Sequence, residues 1–243
     1  MTQEPIYVIG DVHGRLHFLE QALEWIEQDG GSASEVIFLG DLVERGPSSQ
    51  EVVAFVRQEC LNRENWHCVK GNHDRMFTRF VQDGTVDDAR IKSKVNWLHR
   101  RLGGMETLKS YGVATEEGRP ILELCQEAQA CVPGVHRAFL DNLPLYIERD
   151  GLLFVHAGIC PGVPLEHQDE DDLIWIRDAF LSETAPHPWL VVHGHTAIDM
   201  PHHYGNRVNL DGGAGYGRPI YPAVFEGHSC WMLDEKGRLP LVA

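Results

Sequence analysis

The stretch EVIFLGDLVERG, residues 35–46, joins a short apolar run to a Gly-Asp pair and then to Glu44 and Arg45. Two further runs of this kind, IYVIG at residues 6–10 and WHCVKG at residues 66–71, also end in glycine. Short runs rich in β-branched and aromatic residues are typical of buried strands. The sequence therefore predicts three strands, each ending at a glycine.

Two amphipathic segments separate these strands. Residues 15–28 and 48–60 carry apolar side chains at helical spacing, and Ser48 or Ser49 is the candidate N-cap of the second helix. The resulting β-α-β-α-β order predicts that the three strands run parallel. Parallel strands place their carboxyl ends at one edge of a sheet, and α/β proteins bind ligands at that edge.

Oxygen ligands suited to a metal follow all three predicted strands. Asp11, Asp41 and Asn72 each come directly after a glycine, 30 and 31 residues apart, so we expect them to converge. His13 lies two residues after Asp11, and on extended backbone the two side chains point to one side. A single aspartate after a strand is more often a turn or N-cap residue. The metal hypothesis therefore depends on finding such a residue after each of the three strands.

The second half of the chain predicts further strands. Two of them end in histidine motifs, VHAG with His156 and VHGHT with His193 and His195. We predict that His156 and His195 join the same site, while His193 packs in the sheet or supports a ligand from behind. The predicted strands, all assigned to a second sheet, are residues 152–158, 189–196, 207–213, 222–227 and 229–235.

Residues 83–150 separate the two halves. Apolar residues at helical spacing, residues 86–104 included, predict a helical insertion against the mouth of the site. Gly103 and Gly104 would let part of this insertion line the substrate cleft, and the alternative is a packing subdomain remote from the site. No stretch has the composition of a flexible linker, so residues 1–243 are predicted to form one domain.

The charge balance restricts the partners. The chain has 21 Lys and Arg residues against 36 Asp and Glu residues, a formal net charge of -15 that repels nucleic acid and anionic membrane surfaces. An anionic substrate must then be bound by a local positive centre. No apolar run approaches the roughly 18 residues of a membrane span, and the N-terminus has no basic segment followed by an apolar one. We predict a cytoplasmic protein.

The combined ligand set indicates the kind of metal. Carboxylates, an amide oxygen and imidazoles together suit Mn, Fe or Zn, whereas an all-oxygen set would suit Mg or Ca. Six such groups are too many for one open catalytic site and fit two metals about 3.5 to 4 Å apart. Asp41, from the middle strand, is the best-placed bridge between them.

The five motifs GDVHG, GDLVERG, GNHD, HAG and HGHT, in this order, resemble those of the phosphoprotein phosphatase family of dinuclear metallophosphoesterases. That family includes metal-dependent serine/threonine phosphatases and symmetrical diadenosine tetraphosphate hydrolases. The resemblance is dense over residues 6–75 and 152–196. It implies a calcineurin-like α/β fold, a sandwich of two mixed β-sheets flanked by helices, and two divalent metal ions, with Mn first and Fe or Zn as alternatives.

The resemblance also assigns the ligands. Phosphodiesterase relatives end the last motif with a second histidine in the pattern Gly-His-x-His, but this chain has Ala197 there, which favours the phosphatase branch. By the resemblance, one metal is held by Asp11, His13 and Asp41, and the other by Asp41, Asn72, His156 and His195.

Four further residues are predicted to act on the substrate. Arg45 and Arg177 are expected to bind the phosphoryl group, because a guanidinium grips it with two hydrogen bonds and keeps its charge. His73 is the candidate general acid. Glu44 is expected to orient His73, although the protein phosphatases commonly have Asp at this position. The alternative for Arg177 and Glu44 is an exposed ion pair at the surface.

These expectations converge on a phosphatase in which a metal-bridging hydroxide attacks phosphorus. The first candidate function is a protein serine/threonine phosphatase acting on a phosphorylated protein or peptide. The alternative is a hydrolase of diadenosine tetraphosphate or a related nucleotide polyphosphate. A third class, a metal-bearing scaffold without turnover, is disfavoured by the complete ligand set.

Overall fold

Two mixed sheets form the centre of the computed structural model, which describes residues 4–30, 33–91 and 93–243. The first sheet has six strands and the second has five. Apolar side chains of both sheets, among them Val8 and Phe154, form a core between the sheets, and a second core lies between the first sheet and the helices. The predicted α/β sandwich of two mixed sheets is thereby confirmed.

Three parallel strands form one half of the first sheet, as predicted. Their side chains alternate between the intersheet core and the helix-side core, which explains why the runs are apolar throughout. Ser48 is the N-cap residue of the second helix, although its side chain makes no capping hydrogen bond. The elements are β1 (Ile6–Ile9), α1 (Leu16–Gly30), β2 (Glu35–Phe38), α2 (Ser49–Asn62) and β3 (Trp66–Cys68).

The other half of the first sheet comes from the end of the chain. β9 (Ala223–Glu226), β10 (Ser229–Asp234) and β11 (Gly237–Leu241) add to β1 in antiparallel order. The prediction that residues 222–227 and 229–235 belong to the second sheet is therefore wrong. An apolar pattern identifies a strand but not its partner, and this choice depends on a chain reversal distant in sequence.

The second sheet has a parallel centre with antiparallel edges. Its strand order is β4-β5-β6-β8-β7, and β5, β6 and β8 run parallel. β4 lies inside the segment predicted to be helical, so the insertion ends earlier than expected. The strands are β4 (Tyr146–Arg149), β5 (Leu152–Val155), β6 (Leu190–His193), β7 (His202–His203) and β8 (Arg207–Asn209).

The insertion contains helices only in its second part. Its helices pack on α2 and α3. Residues 85–91 and 93–103 form turns and irregular backbone, so the helix predicted there is wrong. The helices after β3 are α3 (Asn72–Asp83), α4 (Gly104–Ser110), α5 (Ile121–Cys131) and α6 (Gly134–Asp141).

The side chain of Trp97 explains the irregular backbone. It is 1% exposed, and its ring lies 4.5 Å from the ring of Phe80 and 6.2 Å from that of Phe77, measured between centroids. The backbone N–H of Trp97 donates to the carbonyl of Val86 across the segment, a contact that a helix would not make. Tertiary packing thus overrides the local helical pattern.

Two short helices, α7 (Glu170–Trp175) and α8 (Asp178–Leu181), connect β5 to β6. Both lie close to the carboxyl end of β5, where the backbone N–H of Ala157 donates to the carbonyl of Leu173. Among the described residues, we find no helix with both the length and the apolar character needed to span a membrane.

Candidate metal centre

The predicted metal ligands meet where the two sheets face each other. Asp11 and Asp41 follow β1 and β2, Asn72 begins α3, and His156 and His195 follow β5 and β6. The sheets are tied together here, since the backbone N–H of His195 donates to Asp11 Oδ1 at 3.0 Å. The six predicted ligands, each at most 7% exposed and named the cluster below, are Asp11, His13, Asp41, Asn72, His156 and His195.

One half of the cluster gathers around His13. Its Nε2 atom lies 3.8 Å from Asp11 Oδ2 and 3.6 Å from Asp41 Oδ2. Nδ1 of the same ring donates to the carbonyl of Val43 at 2.9 Å, so Nε2 carries the lone pair that faces the carboxylates. His13, Asp41 and His73 have donor atoms close enough together to hold a single metal ion.

The other half gathers around the amide oxygen of Asn72. Oδ1 of Asn72 lies 2.9 Å from His156 Nε2 and 2.8 Å from His195 Nδ1. Nδ1 of His156 donates to the carbonyl of Leu39 at 2.8 Å, which leaves a lone pair on Nε2 facing another acceptor. His156 Nε2 is also 3.5 Å from Asp41 Oδ1. Converging lone pairs of this kind suit a cation between them, so these residues fit a metal.

The pKa shifts of the cluster carboxylates also indicate a site for a metal ion. Burial raises the pKa of Asp41 to about 7, although the backbone N–H of His73 and the Arg45 guanidinium act against the shift. Burial, together with the carboxylates of Asp211 and Asp41, holds the pKa of Asp11 well above its usual value. Divalent cations would favour the ionised carboxylates and reverse these shifts.

The backbone of the site is held in an uncommon conformation. Among the described residues, seven that are not glycine have positive φ, and five of these seven are predicted site residues. Such conformations cost about 1–3 kcal/mol each and persist only where the surroundings impose them. The five are His13 (φ 49°), Asp41 (φ 49°), Glu44 (φ 72°), Arg45 (φ 66°) and His195 (φ 64°).

Asp74 holds the backbone around Asp41. Its carboxylate accepts from the backbone N–H groups of Asp41 and Leu42 at 2.9 Å each, and of Gly71 at 3.0 Å. Gly71 is needed because a Cβ there would lie 2.2 Å from Asp41 Oδ1. The sequence analysis assigned Asp74 no role, although its position three residues after a helix-starting glycine is a capping signal.

Arg45, His73 and Glu44 form a connected set beside the cluster. Arg45 donates from Nη1 to His13 Nε2 at 3.0 Å and from Nη2 to His73 Nε2 at 3.1 Å. Nδ1 of His73 contacts Glu44 Oε2, and Trp97 Nε1 donates to Glu44 Oε1. Glu44 is 0% exposed, so the structure does not place it in the surface ion pair considered as its alternative.

The titration of this set is governed by burial. Burial lowers the pKa of His73 well below its usual value, with a further contribution from Arg45. Burial likewise raises the pKa of Glu44 well above its usual value, against the Trp97 hydrogen bond. Both shifts disfavour a fully charged pair, so we interpret the His73–Glu44 contact as a hydrogen bond that fixes the ring.

Arg177 lies on the opposite wall of the cleft. It donates to Thr196 Oγ1 at 3.0 Å and to the carbonyl of His195 at 3.4 Å. The cleft above the cluster has a volume of about 490 Å³. Its lining includes residues of the irregular part of the insertion, while α5 and α6 pack on the helices behind it. These insertion residues are Arg90, Ile91, Ser93 and Leu102.

Asp211 is a further buried acid near the cluster that was not predicted from the sequence. It is 3% exposed, accepts from the backbone N–H of Gly213 at 2.9 Å, and raises the pKa of Asp11. Asp211 lies at the end of a predicted strand, just before Gly212 and Gly213, and a search for acids at strand ends could have found it. His193, by contrast, packs with its ring 5.1 Å from Phe180.

Residues 4–232 match the model of the calcineurin-like phosphoesterase family, and the chain belongs to that family. It is therefore a hydrolase of the metallophosphoesterase class, as the motifs predicted. Among curated relatives are two that are named bis(5'-nucleosyl)-tetraphosphatase PrpE [asymmetrical]. The one from Bacillus mycoides (strain KBAB4) is 24% identical over 86% of each chain. The one from Halalkalibacterium halodurans is 25% identical over 97% of this chain and 95% of its own.

Solved structures share the fold. A protein assigned as a diadenosine tetraphosphatase aligns with a TM-score of 0.66 and 23% identity over 99% of this chain and 95% of its own. A cold-active protein-tyrosine phosphatase of a psychrophilic Shewanella species aligns with a TM-score of 0.64 and 15% identity, over 99% of this chain and 81% of its own. Both alignments indicate a shared fold.

Proposed function

We propose that the protein is a nucleotide-polyphosphate hydrolase that cleaves dinucleoside tetraphosphates such as diadenosine tetraphosphate. The observation that carries the proposal is the match to asymmetrical tetraphosphatases along 86–97% of the chain. This favours the second of the two functions considered from the sequence over a protein serine/threonine phosphatase. The relatives are named as asymmetrical enzymes, whereas the sequence resemblance pointed to symmetrical ones.

Two divalent metal ions are part of the proposal, with Mn first and Fe or Zn as alternatives. The mixed oxygen and nitrogen donors, and the lone pairs that converge on Asn72 Oδ1, support this choice. When bound, the ions supply Lewis-acid charge that activates water and neutralises phosphate oxygens. The residues proposed to hold them are Asp11, His13, Asp41, Asn72, His156 and His195.

The chain's own residues then bind the substrate from two sides. Arg45 spans from His13 to His73 across the cluster, so its two terminal nitrogens face the position of a phosphoryl group. Arg177 approaches from the other wall, held by Thr196. Two guanidinium groups give an acidic chain the local positive centre that an anionic substrate requires.

His73 is proposed to take up a proton on Nε2 once the Arg45 guanidinium turns from it to the phosphoryl group, and to donate that proton to the leaving oxygen. Glu44 fixes the ring through Nδ1, and Trp97 fixes Glu44 in turn. This buried arrangement helps most when the leaving group is a poor one, such as a serine alkoxide. That is the specific observation in favour of the second candidate, a protein phosphatase acting on phosphorylated proteins or peptides.

A direct comparison of substrates tests the proposal. The Mn-loaded protein is assayed with diadenosine tetraphosphate and with a panel of phosphoserine, phosphothreonine and phosphotyrosine peptides, and the nucleotide products are separated by chromatography. We expect kcat/KM for the dinucleotide to exceed that for every peptide, with ATP and AMP as products. A higher kcat/KM for a peptide would establish the second candidate, and two ADP molecules would contradict asymmetrical cleavage.

Four further expectations stay predictions. Metal analysis of the purified protein would decide between Mn, Fe and Zn. The formal charge of -15 continues to argue against nucleic acid and anionic membranes as partners. The cytoplasmic location and the single domain over residues 1–243 are likewise proposals from the sequence.

A further inference from the structure

A second cavity opens next to the cleft, on the far side of Arg45. It has a volume of about 480 Å³ and shares Arg45, Ser93 and Leu102 with the cleft above the cluster. A ligand bound at the cluster can therefore extend past Arg45 into this space. The cavity, named the distal cavity below, is lined by Arg45, Ser93, Arg100, Arg101, Leu102, Glu106, Gly215 and Tyr216.

The distal cavity is positively charged in an acidic protein. Arg45, Arg100 and Arg101 face a single carboxylate, that of Glu106. Arg100 and Arg101 are exposed, and among the described residues neither has a carboxylate within 4.0 Å. Eight other arginines do form such ion pairs. Two unpaired guanidinium groups beside the cleft suit an anion with several phosphates.

A glycine-rich loop places an aromatic ring at the wall of the distal cavity. Tyr216 is 68% exposed, and the Arg45 guanidinium carbon lies 5.2 Å from the centre of its ring. The loop approaches the cluster closely at Gly215, where a Cβ would lie 2.6 Å from Arg45 Nη1 and 2.7 Å from His13 Cδ2. An exposed ring beside a guanidinium is a surface on which a nucleobase stacks.

Glu106 adds a hydrogen-bond acceptor to this wall. Its Oε2 atom is buried and accepts no hydrogen bond from the described residues. A buried acceptor of this kind is costly unless a donor reaches it. Phosphate groups offer no donor at neutral pH, whereas ribose hydroxyls and the amino group of adenine do. The cavity therefore combines features for phosphates with features for a nucleoside.

We propose that the distal cavity binds the nucleotide on one side of the scissile bond of a dinucleoside polyphosphate. Arg100 and Arg101 bind its phosphates, Tyr216 stacks on its base, and Glu106 accepts a hydrogen bond from its ribose or base. This inference rests on the proposed function and gives a reason for it, since a dinucleoside polyphosphate can extend from the cleft past Arg45 into the distal cavity. Residues outside the cluster thus select the substrate.

The test compares a long and a short substrate. The variants Arg100→Ala/Arg101→Ala and Tyr216→Ala are assayed, Mn-loaded, with diadenosine tetraphosphate and with p-nitrophenyl phosphate. We expect the ratio of the two kcat/KM values to fall about tenfold or more, a loss typical of removing the partner of a stacked base. Tyr216→Phe keeps the ring and should retain the ratio. Arg137→Ala, which replaces an exposed arginine of α6 outside the cavity, is the control for the loss of a surface arginine.

A binding measurement separates the two parts of the cavity. The Mn-loaded protein is titrated in a calorimeter with a methylene-bridged ATP analogue, with tripolyphosphate and with adenosine. The double arginine variant should weaken the first two about fivefold or more, while Tyr216→Ala and Glu106→Gln should weaken the ATP analogue more than tripolyphosphate. Equal effects of all variants on all three ligands would contradict the proposed division. Far-UV circular dichroism checks that each variant is folded.

The failure of this inference can be distinguished from failure of the proposed function. If the wild-type protein does not hydrolyse diadenosine tetraphosphate, the proposed function is wrong. If it does, and neither variant changes the substrate ratio, only the role of the distal cavity is wrong. A selective loss of activity toward an acidic phosphopeptide would assign the cavity to a peptide and overturn the nucleotide assignment.

Discussion

The cluster and the distal cavity lie on either side of Arg45, and they are built differently. The cluster residues are at most 7% exposed and follow the ends of regular strands. The distal cavity has exposed side chains from an irregular segment, Arg100 and Arg101, and from a glycine-rich loop, Tyr216, with Glu106 of α4 beside them. Chemistry that needs fixed geometry is thus placed on the sheets, while recognition of the substrate is placed on connections that tolerate change.

The strongest test of this contrast removes the predicted bridge between the metals. We expect Asp41→Asn to reduce both metal content and turnover, by more than the about 10- to 100-fold typical of losing an outer partner of a metal ligand. The amide keeps the shape but loses the charge that both halves of the cluster share. Metal analysis and kcat on diadenosine tetraphosphate measure the two effects.

Asp87→Asn is the matched control, because Asp87 is exposed and lies outside the cluster. It should leave metal content and kcat as in the wild-type protein. If the Asp41→Asn protein retains two metals and full turnover, Asp41 is not part of the site. The contrast between a fixed cluster and an adaptable distal cavity would then be contradicted.

The cluster could be predicted from sequence because its rule is local. A metal-competent residue directly after a strand-ending glycine is visible without knowing any tertiary contact, and the structure brings the residues found this way together. Asp211 also follows a strand, but it comes after Leu210 and not after a glycine, so this rule does not identify it. Local signals were also enough to predict the three parallel strands, because a helix between two neighbouring strands returns the chain to the same end of the sheet.

The irregular segment, residues 85–91 and 93–103, could not be predicted because its conformation depends on residues that are distant in sequence. The turns in residues 85–91 and 93–103 follow the packing of Trp97 on α3 and not the spacing of apolar residues. The sheet to which β9 belongs is decided by pairing with β1, more than 200 residues earlier in the chain. Neither fact leaves a signal in a window of 10 to 20 residues.

The second prediction concerns the general acid at the boundary between the two regions. Glu44→Gln should lower kcat/KM for a serine-phosphate peptide by about 10- to 100-fold, since the positioned acid loses part of its contribution. The loss should be smaller for an aryl phosphate, whose leaving group hardly needs a proton. Glu44 contacts His73, the proposed acid, so the difference between leaving groups is the informative measurement.

Equal losses on the two substrates would show that Glu44 is structural only. His73→Gln provides a second measurement, because removing the acid itself should reproduce the same dependence on leaving group. A dependence seen with His73→Gln but not with Glu44→Gln would keep the acid and remove its positioning residue.

A third prediction concerns how pH changes the stability of the metal-free protein, in which the cluster carboxylates are buried without a cation. Burial raises the pKa of Asp41 to about 7 and that of Asp11 well above its usual value, so the folded state binds these protons more tightly than the unfolded state. This stabilisation is complete below the unfolded values near 4 and is lost as pH rises through the folded pKa. Metal-free protein should therefore lose on the order of 1 kcal/mol between pH 6.5 and 8.

The cluster histidines do not obscure this window. Burial lowers the pKa of His13, His156 and His195, so their effect is a loss of stability below about pH 6.5. Denaturant unfolding at pH 6.5 and 8, with and without Mn, measures the difference. Saturating Mn should abolish the loss at pH 8, because a cation favours the ionised carboxylates. Equal stability of the metal-free protein at both pH values would contradict the assignment.

The smallest expected effect comes from Trp97, which contacts Glu44 from the irregular segment. Trp97→Phe retains an aromatic ring against Phe80 but removes the Nε1–H that donates to Glu44, a bond worth about 1 kcal/mol. We expect kcat/KM for a serine-phosphate peptide to fall about three- to fivefold, with little change for an aryl phosphate. Trp189→Phe is the matched control, since Trp189 also donates to a glutamate, Glu148, at 2.9 Å. Equal effects of the two variants would mean that the irregular segment supports the fold alone, whereas a selective effect of Trp97→Phe would mean that this segment also sets the strength of the acid.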